Sequence, residues 1–252
     1  MLSLLKMDLR QLFHRKTFYV MIVALSAMTL SMLFLADPST LTMGSVLGVL
    51  DGISMDNFMS AASGLGLGYT LMCIMLSFFV CDDFSCGFAK NVFTVHANKR
   101  DYIASKVVSM MIATGILMLI SLVESFVYAT ISGIAIGNIG GIIMFAVGKW
   151  ILSAAFASAI LFISILFRNK GMGFLFACLF GTGGIVMGIV WALSAIHFPY
   201  ADQVLSWTMY GASTVPSLNT GIMDLIHVLL VTIIWVVVYG LLSANLLRKK
   251  DI

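Results

Sequence analysis

The stretch that decides the fold is residues 81–106, which read CDDFSCGFAKNVFTVHANKRDYIASK. It is the longest polar interruption in an otherwise very apolar chain, and apolar runs long enough to cross a bilayer flank it on both sides. A polar segment of this length between two spans must lie in water or against a water-soluble partner. What the protein does therefore depends on what docks on this segment.

The composition excludes an ordinary soluble enzyme. The hydrophobic fraction is 61% and the charged fraction 10%, against about 45–50% and about 25% in soluble domains. We predict an all-α integral membrane protein in which residues 1–252 form a single transmembrane domain with six spans. The predicted spans are 17–36, 60–80, 106–131, 142–167, 172–195 and 223–247. Residues 1–16 have the pattern of an amphipathic helix in the membrane interface, with a cytoplasmic extension of the first span as the alternative.

Charge predicts the orientation of the spans. Thirteen of the fourteen Lys and Arg residues lie at the termini, in residues 81–106 or in the turn at Arg168–Lys170. The predicted outer loops 37–59, 132–141 and 196–222 contain none, and their charges are acidic. The positive-inside rule then places both termini in the cytoplasm. A basic face of this kind indicates orientation and contact with lipid headgroups, so we expect no nucleic-acid partner.

The sequence shows no pattern typical of an enzyme. It has no Gly-x4-Gly-Lys-Ser/Thr phosphate loop and no His-Glu-x-x-His, and its four histidines are scattered. Its four cysteines match neither a disulfide set nor a zinc pattern. We therefore predict no catalytic residue, no metal and no cofactor on this chain.

Several residues of the central stretch follow one another in a recognisable order. They are Asp83, Gly87, Lys90-Asn91, Lys99-Arg100, Tyr102 and Ser105-Lys106. In this order the stretch resembles the permease subunits of bacterial ABC transporters of the ABC-2 type. The family layout of a basic amphipathic N-terminal helix, six spans and an outer segment before the last span also fits all 252 residues.

The resemblance implies a type V exporter-like fold in the bacterial plasma membrane. Residues 81–105 would be a cytoplasmic coupling segment that docks on a separate ATPase subunit, which carries the ATP and Mg²⁺. The implied contacts with that subunit are Asp83, Gly87, Phe88, Lys90, Asn91, Val92, Phe93 and Arg100. It also implies a second permease, identical or not, and an amphipathic peptide, antimicrobial or lipid-like cargo, as in bacitracin or lantibiotic immunity.

The residues themselves agree with a transport pathway that has no energy source of its own. Few charges lie within the predicted spans, which disfavours an ion-coupled carrier, and no inverted repeat is visible. Two alternatives stay open: a membrane sensor or assembly scaffold that transports nothing, and an ion-coupled secondary carrier. Co-purification of a small ATPase distinguishes both from the permease.

Two charges lie within predicted spans and several residues from either end of the span. Glu124 is in the outer half of the third span, and Lys149 is in the fourth. Because an unpaired charge is expensive in a bilayer, we expect them to form an intramembrane pair that holds an outer gate or touches cargo. The alternative is that each faces an aqueous cavity alone or reaches the outer surface.

Two further features concern the outer half of the chain. Gly181, Gly183, Gly184 and Gly188 predict a bend or a close approach in the fifth span. Residues 196–222 are only moderately polar and contain aromatic residues typical of the interface. We expect a short helix or a re-entrant hairpin there.

Overall fold

The computed structural model describes residues 2–35, 67–95, 99–131, 139–195, 201–216 and 221–249. Within these ranges the protein is almost entirely helical and contains no strand. The helices are α1 Leu2–His14, α2 Lys16–Leu35, α3 Leu67–Ser85, α4 Phe88–Val95, α5 Lys99–Ile131, α6 Ile139–Phe167, α7 Lys170–Gly181, α8 Gly184–Ala195, α9 Ala201–Ser206, α10 Met209–Thr214 and α11 Ile222–Lys249.

Three of these helices, α5, α6 and α11, are long and apolar enough to cross a membrane. The bent pair α7 and α8 makes a fourth crossing if it counts as one span. Several long apolar helices indicate a multi-pass membrane protein. The number of six spans stays a prediction. Residues 60–66 of the predicted second span and the predicted outer loop 37–59 lie outside the described residues.

Helix α6 is the centre of the bundle. It packs against α3, α5, α7, α10 and α11. In its most apolar window 72% of the residues are buried, against 17% in the corresponding window of α11. The small residues that the sequence offers as a packing surface, Ser153, Ala154, Ala155, Ala157, Ser158 and Ala159, are all buried. Small side chains let neighbouring helices approach closely, which is how membrane bundles pack without a hydrophobic driving force.

The predicted fifth span is bent in the middle. Its two halves, α7 and α8, meet at 59° across a break after Gly181. Gly183 has a φ of +76° in this break, a conformation that residues with a Cβ rarely adopt. Gly181 packs against α3 so closely that a Cβ there would lie 2.3 Å from the Cα of Thr70. The predicted bend and the predicted close approach both occur here.

Segment 196–222, which the sequence predicts to be outer, contains two short helices, α9 and α10, in its described part. Its residues 196–200 and 217–220 lie outside the described residues. Two hydrogen bonds attach it to longer helices: the Tyr210 hydroxyl donates to the Thr182 carbonyl at 2.8 Å, and the Trp235 indole donates to the Trp207 carbonyl at 2.9 Å. Met209 and Ala212 of α10 are buried, so the segment folds back against the bundle.

Candidate functional site: a buried charge cluster beside a short helix

The short helix α4 follows α3 after a turn of two residues. The Cys86 amide donates to the Asp82 carbonyl at 2.9 Å, and Gly87 adopts a φ of +71°. A Cβ on Gly87 would meet nothing within 4 Å, so the position favours glycine for its backbone conformation and not for space. The turn lets the chain leave α3 and start a new helix at Phe88. In the predicted motif, Asp83 and Gly87 thus bracket the end of α3.

Helix α4 turns most of its apolar face inward. Ala89 and Val92 are buried, and the Phe93 ring packs edge-on against Tyr102 with the ring centroids 5.2 Å apart. Phe88 is half-buried against the core, and Asn91 is exposed. Val92 and Phe93 therefore both pack within the chain itself, and their role as contacts for an ATPase subunit stays a prediction.

Three more of the predicted contacts are Asp83, Lys90 and Arg100. Asp83 is buried, with 1% of its surface exposed, and its carboxylate is occupied by other side chains of this protein. Its implied contact with an ATPase subunit stays a prediction. The Lys90 side chain lies outside the described part of the structure, although its backbone belongs to α4. Arg100 is exposed near the start of α5.

Lys106 lies at the centre of a buried charge cluster. Its ammonium donates to Asp83 Oδ2 at 2.6 Å and to Asp8 Oδ1 at 2.8 Å, and its side chain has no exposed surface. The same ammonium lies 3.7 Å from the centroid of the Phe79 ring, a distance at which a cation–π interaction adds to the ion pairs. Ser105 donates to the other oxygen of Asp8 at 2.5 Å. One lysine thus binds α1, through Asp8, to α3, through Asp83.

The carboxylate of Asp83 has further partners. The Tyr102 hydroxyl donates to its Oδ2 at 3.1 Å, and the Gln11 amide donates to its Oδ1 at 3.5 Å. Burial raises the pKa of Asp83 above its ordinary value, and the Lys106 ammonium opposes that rise. Because an ion pair and hydrogen bonds meet the carboxylate together, the charge can stay inside the protein.

A more exposed set of charges surrounds the buried ones. Arg15, in the break between α1 and α2, donates to Asp82 Oδ2 at 2.6 Å and lies 3.9 Å from Asp83 Oδ1. Lys170, the first residue of α7, approaches Asp82 Oδ1 to 2.5 Å. Three acidic and three basic residues are therefore gathered at one end of the bundle. Together they bind α1, α3, α5 and α7, which are far apart in the sequence.

Asp8 is a buried member of the cluster that sequence reasoning missed. It lies on α1 between Leu4 and Leu12 at i, i+4 spacing, and all three residues are buried. Lys6, Arg10 and Gln11 lie on the polar side of α1 in the sequence pattern. The buried stripe of Leu4, Asp8 and Leu12 is rotated away from the helix face on which most of the leucines lie. A carboxylate inside an i, i+4 apolar stripe was the available signal, since such a residue needs a buried cation.

The structure does not bring Glu124 and Lys149 together. Glu124 Oε2 accepts a hydrogen bond from Thr29 of α2 at 2.6 Å. Lys149 donates to the backbone carbonyl of Ser213 in α10, and its ammonium lies 5.3 Å from the centroid of the Phe145 ring. The predicted intramembrane pair is therefore wrong. Instead, Glu124 joins α5 to α2, and Lys149 joins α6 to α10.

The cluster joins four helices through ion pairs and hydrogen bonds. Within the described residues, no group of three His, Cys, Asp or Glu side chains could hold a metal ion. No protein-family model matches this chain, and a comparison with curated proteins finds no match. The family assignment therefore stays a proposal, and its support has to come from the residues themselves.

Proposed function

We propose that this chain is the membrane-spanning permease subunit of an ATP-driven exporter of the ABC-2 type. In this proposal α4 is the coupling helix, and a separate cytoplasmic subunit binds ATP and Mg²⁺. Two permeases would pair, and the cargo would be an amphipathic peptide, antimicrobial or lipid-like molecule. The chain itself has no known nucleotide-binding motif. ATP hydrolysis that accompanies the purified chain would therefore come from a partner subunit, and its inhibition tests the proposal.

One observation carries the proposal: α4 packs on the end of α3 and contacts the start of α5. Its inner face packs through Ala89 and Val92, Phe93 contacts Tyr102, and Tyr102 donates to Asp83 beside the buried Lys106. Breaking a buried ion pair by removing one partner costs about 3–5 kcal/mol. In this proposal, a movement of α4 against the ATPase subunit would be transmitted to α3 and α5 through these contacts.

Among the described side chains, part of the predicted contact surface of α4 is accessible. The turn at Gly87, the half-buried Phe88 and the exposed Asn91 remain accessible on or beside α4. A partner would contact this narrow face with a few side chains. Truncating one aromatic anchor in such an interface typically costs about 2 kcal/mol or more, which corresponds to roughly thirtyfold weaker binding.

The test is the ATP hydrolysis that accompanies the chain when it is purified in mild detergent from the membranes of its own host. We expect vanadate-sensitive hydrolysis with the native chain and a loss of most of it with the Phe88→Ala, Asn91→Arg double variant. Met223→Ala is the matched control. Met223 is an exposed apolar residue in the first turn of α11, at the end of that helix opposite to Arg248 and Lys249. Absence of hydrolysis with the native chain, or equal hydrolysis in the α4 variant, would contradict the proposal.

A second candidate function is an ion-coupled carrier, which the buried carboxylates Asp8 and Asp83 favour. The two functions differ in their energy source. A carrier stops when the proton gradient is collapsed at constant ATP, whereas the exporter continues. The internal pairing of both carboxylates with Lys106 is the reason that we place the carrier second.

The orientation can be tested with a native residue. Cys86 is an exposed cysteine beside the charge cluster, whereas Cys73 and Cys81 are buried. With the termini in the cytoplasm, an impermeant thiol reagent should label Cys86 in inverted vesicles and not in intact cells. A cysteine introduced at Asp202 should behave in the opposite way. Labelling of Cys86 in intact cells would reverse the orientation.

A further inference from the structure

A groove runs along the bundle between α5, α6 and α11, the three helices that are long enough to cross a membrane. Its volume is about 470 Å³, within the range of about 300–1,000 Å³ typical of small-molecule sites. The wall is apolar and includes Val107, Met111, Ala154, Val237, Gly240 and Leu241. This groove has no part in the coupling proposal.

The apolar wall of the groove has few polar groups that could bind water. Ser158 contributes a hydroxyl, but that hydroxyl already donates to the Ala155 carbonyl at 2.8 Å. Cavities lined by apolar groups stay dry or take apolar ligands. The surface that this groove presents therefore suits a hydrocarbon chain.

One end of the groove is basic. Arg100 lines it directly. Lys99 donates to the Leu247 carbonyl at 2.6 Å, which holds the start of α5 against the end of α11 and brings Arg248 and Lys249 to the same end. Among the described residues of these two helix ends, four cationic side chains accompany one carboxylate, Asp101. Basic pockets between transmembrane helices are typical sites for anionic lipid headgroups.

The length of the groove matches one leaflet. From Arg100 to Met111 the helix rises by about 16 Å at about 1.5 Å per residue, close to half of a hydrocarbon core of about 30 Å. A phosphate at Arg100 would thus leave its acyl chain beside Val107 and Met111, ending near the bilayer centre. We propose that this groove binds one anionic phospholipid, with the headgroup at Arg100 and one acyl chain between α5 and α11.

A second copy of the chain fits the groove less well. Two copies related by a two-fold axis along the membrane normal present the same ends at the same depth. Their basic ends would then meet, and like charges in contact disfavour the pairing. Charge complementarity therefore favours the lipid. This assignment places Arg100 at the headgroup, although the family resemblance implies an ATPase contact for it.

Glycine residues provide a matched pair of variants. A Cβ on Gly240, which lines the groove, would meet nothing within 4 Å, so Gly240→Leu fills the groove without a clash. Gly188 on α8 is also open and exposed but lies outside the groove, so Gly188→Leu is the control. Both changes place a good helix former in a helix, so neither should prevent folding.

The test uses the full chain purified in a neutral detergent and titrated with phosphatidylglycerol or with phosphatidylcholine of the same acyl composition. Native mass spectrometry counts the lipids bound per chain. We expect one phosphatidylglycerol at concentrations where phosphatidylcholine is not retained. Arg100→Gln should weaken the preference for the anionic lipid by about fivefold. Gly240→Leu should lose the bound lipid, and Gly188→Leu should keep it.

Three results would overturn the proposal. Equal retention of the two lipids would show an apolar surface without headgroup recognition. Wild-type binding by Gly240→Leu would place the lipid elsewhere. A change from dimer to monomer in Gly240→Leu with an unchanged lipid count would assign the groove to a second copy. The assay contains no ATPase, so its failure is distinguishable from failure of the coupling proposal.

Discussion

Lys106 and Lys149 are both almost completely buried, yet their ammonium groups meet different kinds of partner. Lys106 contacts two carboxylates, Asp8 and Asp83, that belong to other helices. Lys149 donates to the carbonyl of Ser213, one of the last carbonyls of α10, which lack partners within their helix. The charge of Lys106 is balanced by two carboxylates. The charge of Lys149 is stabilised by a hydrogen bond to a backbone carbonyl.

The difference decides what each lysine can do for the protein. Removing the Lys106 ammonium strands two carboxylates inside the bundle, so Lys106 is tied to global stability. Removing the Lys149 ammonium leaves only one carbonyl without a partner and also removes the cost of burying a charge. Lys149 therefore affects the position of one local segment, which consists of α9 and α10. Burial of a charge alone does not predict its effect on stability.

The largest expected effect is that of Lys106→Met. We expect it to lower the free energy of unfolding by about 3–5 kcal/mol, because Asp8 and Asp83 lose their shared cation. Unfolding by denaturant in mixed micelles measures the change. Lys170→Met is the control, because the Lys170 side chain in the same cluster is 56% exposed and should matter far less. Equal losses in the two variants would show that the buried position of Lys106 has no special weight.

The counterpart is Lys149→Met. We expect the free energy of unfolding to fall by at most about 2 kcal/mol, the range of one hydrogen bond to a charged group. The effect should be local, so amide hydrogen exchange should accelerate in residues 201–216 and not at the charge cluster. A loss as large as that of Lys106→Met would mean that Lys149 neutralises a carboxylate, and would remove the contrast between the two lysines.

A double-mutant cycle tests whether Glu124 and Lys149 act independently. Because Glu124 contacts Thr29 and not Lys149, the effects of Glu124→Gln and Lys149→Gln should add within about 0.5 kcal/mol. Thr29→Val and Glu124→Gln should be coupled by about 1 kcal/mol, since they share one hydrogen bond. Strong coupling between Glu124 and Lys149 would restore the pair that the sequence predicts.

The smallest expected effect concerns the exposed rim of the cluster. Asp82→Asn should lower the free energy of unfolding by about 1 kcal/mol or less, because the Asp82 side chain is 28% exposed and solvent screens its pairs with Arg15 and Lys170. The effect should shrink further at high salt. An effect of Asp82→Asn that is large and independent of salt would place Asp82 with the buried charges.

Much of the helical layout follows from local patterns in the sequence. The glycines at 181–184 predict the break between α7 and α8. The small residues of α6 predict a buried packing surface. Each of these features depends on residues that are neighbours along the chain, which is why sequence alone could predict it.

The partners of the buried charges are a different matter. The presence of Asp83, Lys106, Glu124 and Lys149 in or beside apolar runs indicates by itself that each needs a partner, because a bare charge is costly in an apolar surrounding. Which partner each one meets depends on how helices distant in the sequence pack together. The cluster needs α1 against α5, Glu124 needs α2 against α5, and Lys149 needs the return of α10 to α6.

The same limit applies to α4. Its amphipathic pattern shows that Phe88, Val92 and Phe93 share an apolar face, and the sequence by itself determined that this face is covered. Only the tertiary structure decided that the protein's own core covers most of it. Hydrophobic periodicity records that a surface avoids water and carries no information about whether the covering surface belongs to the same chain or to a partner.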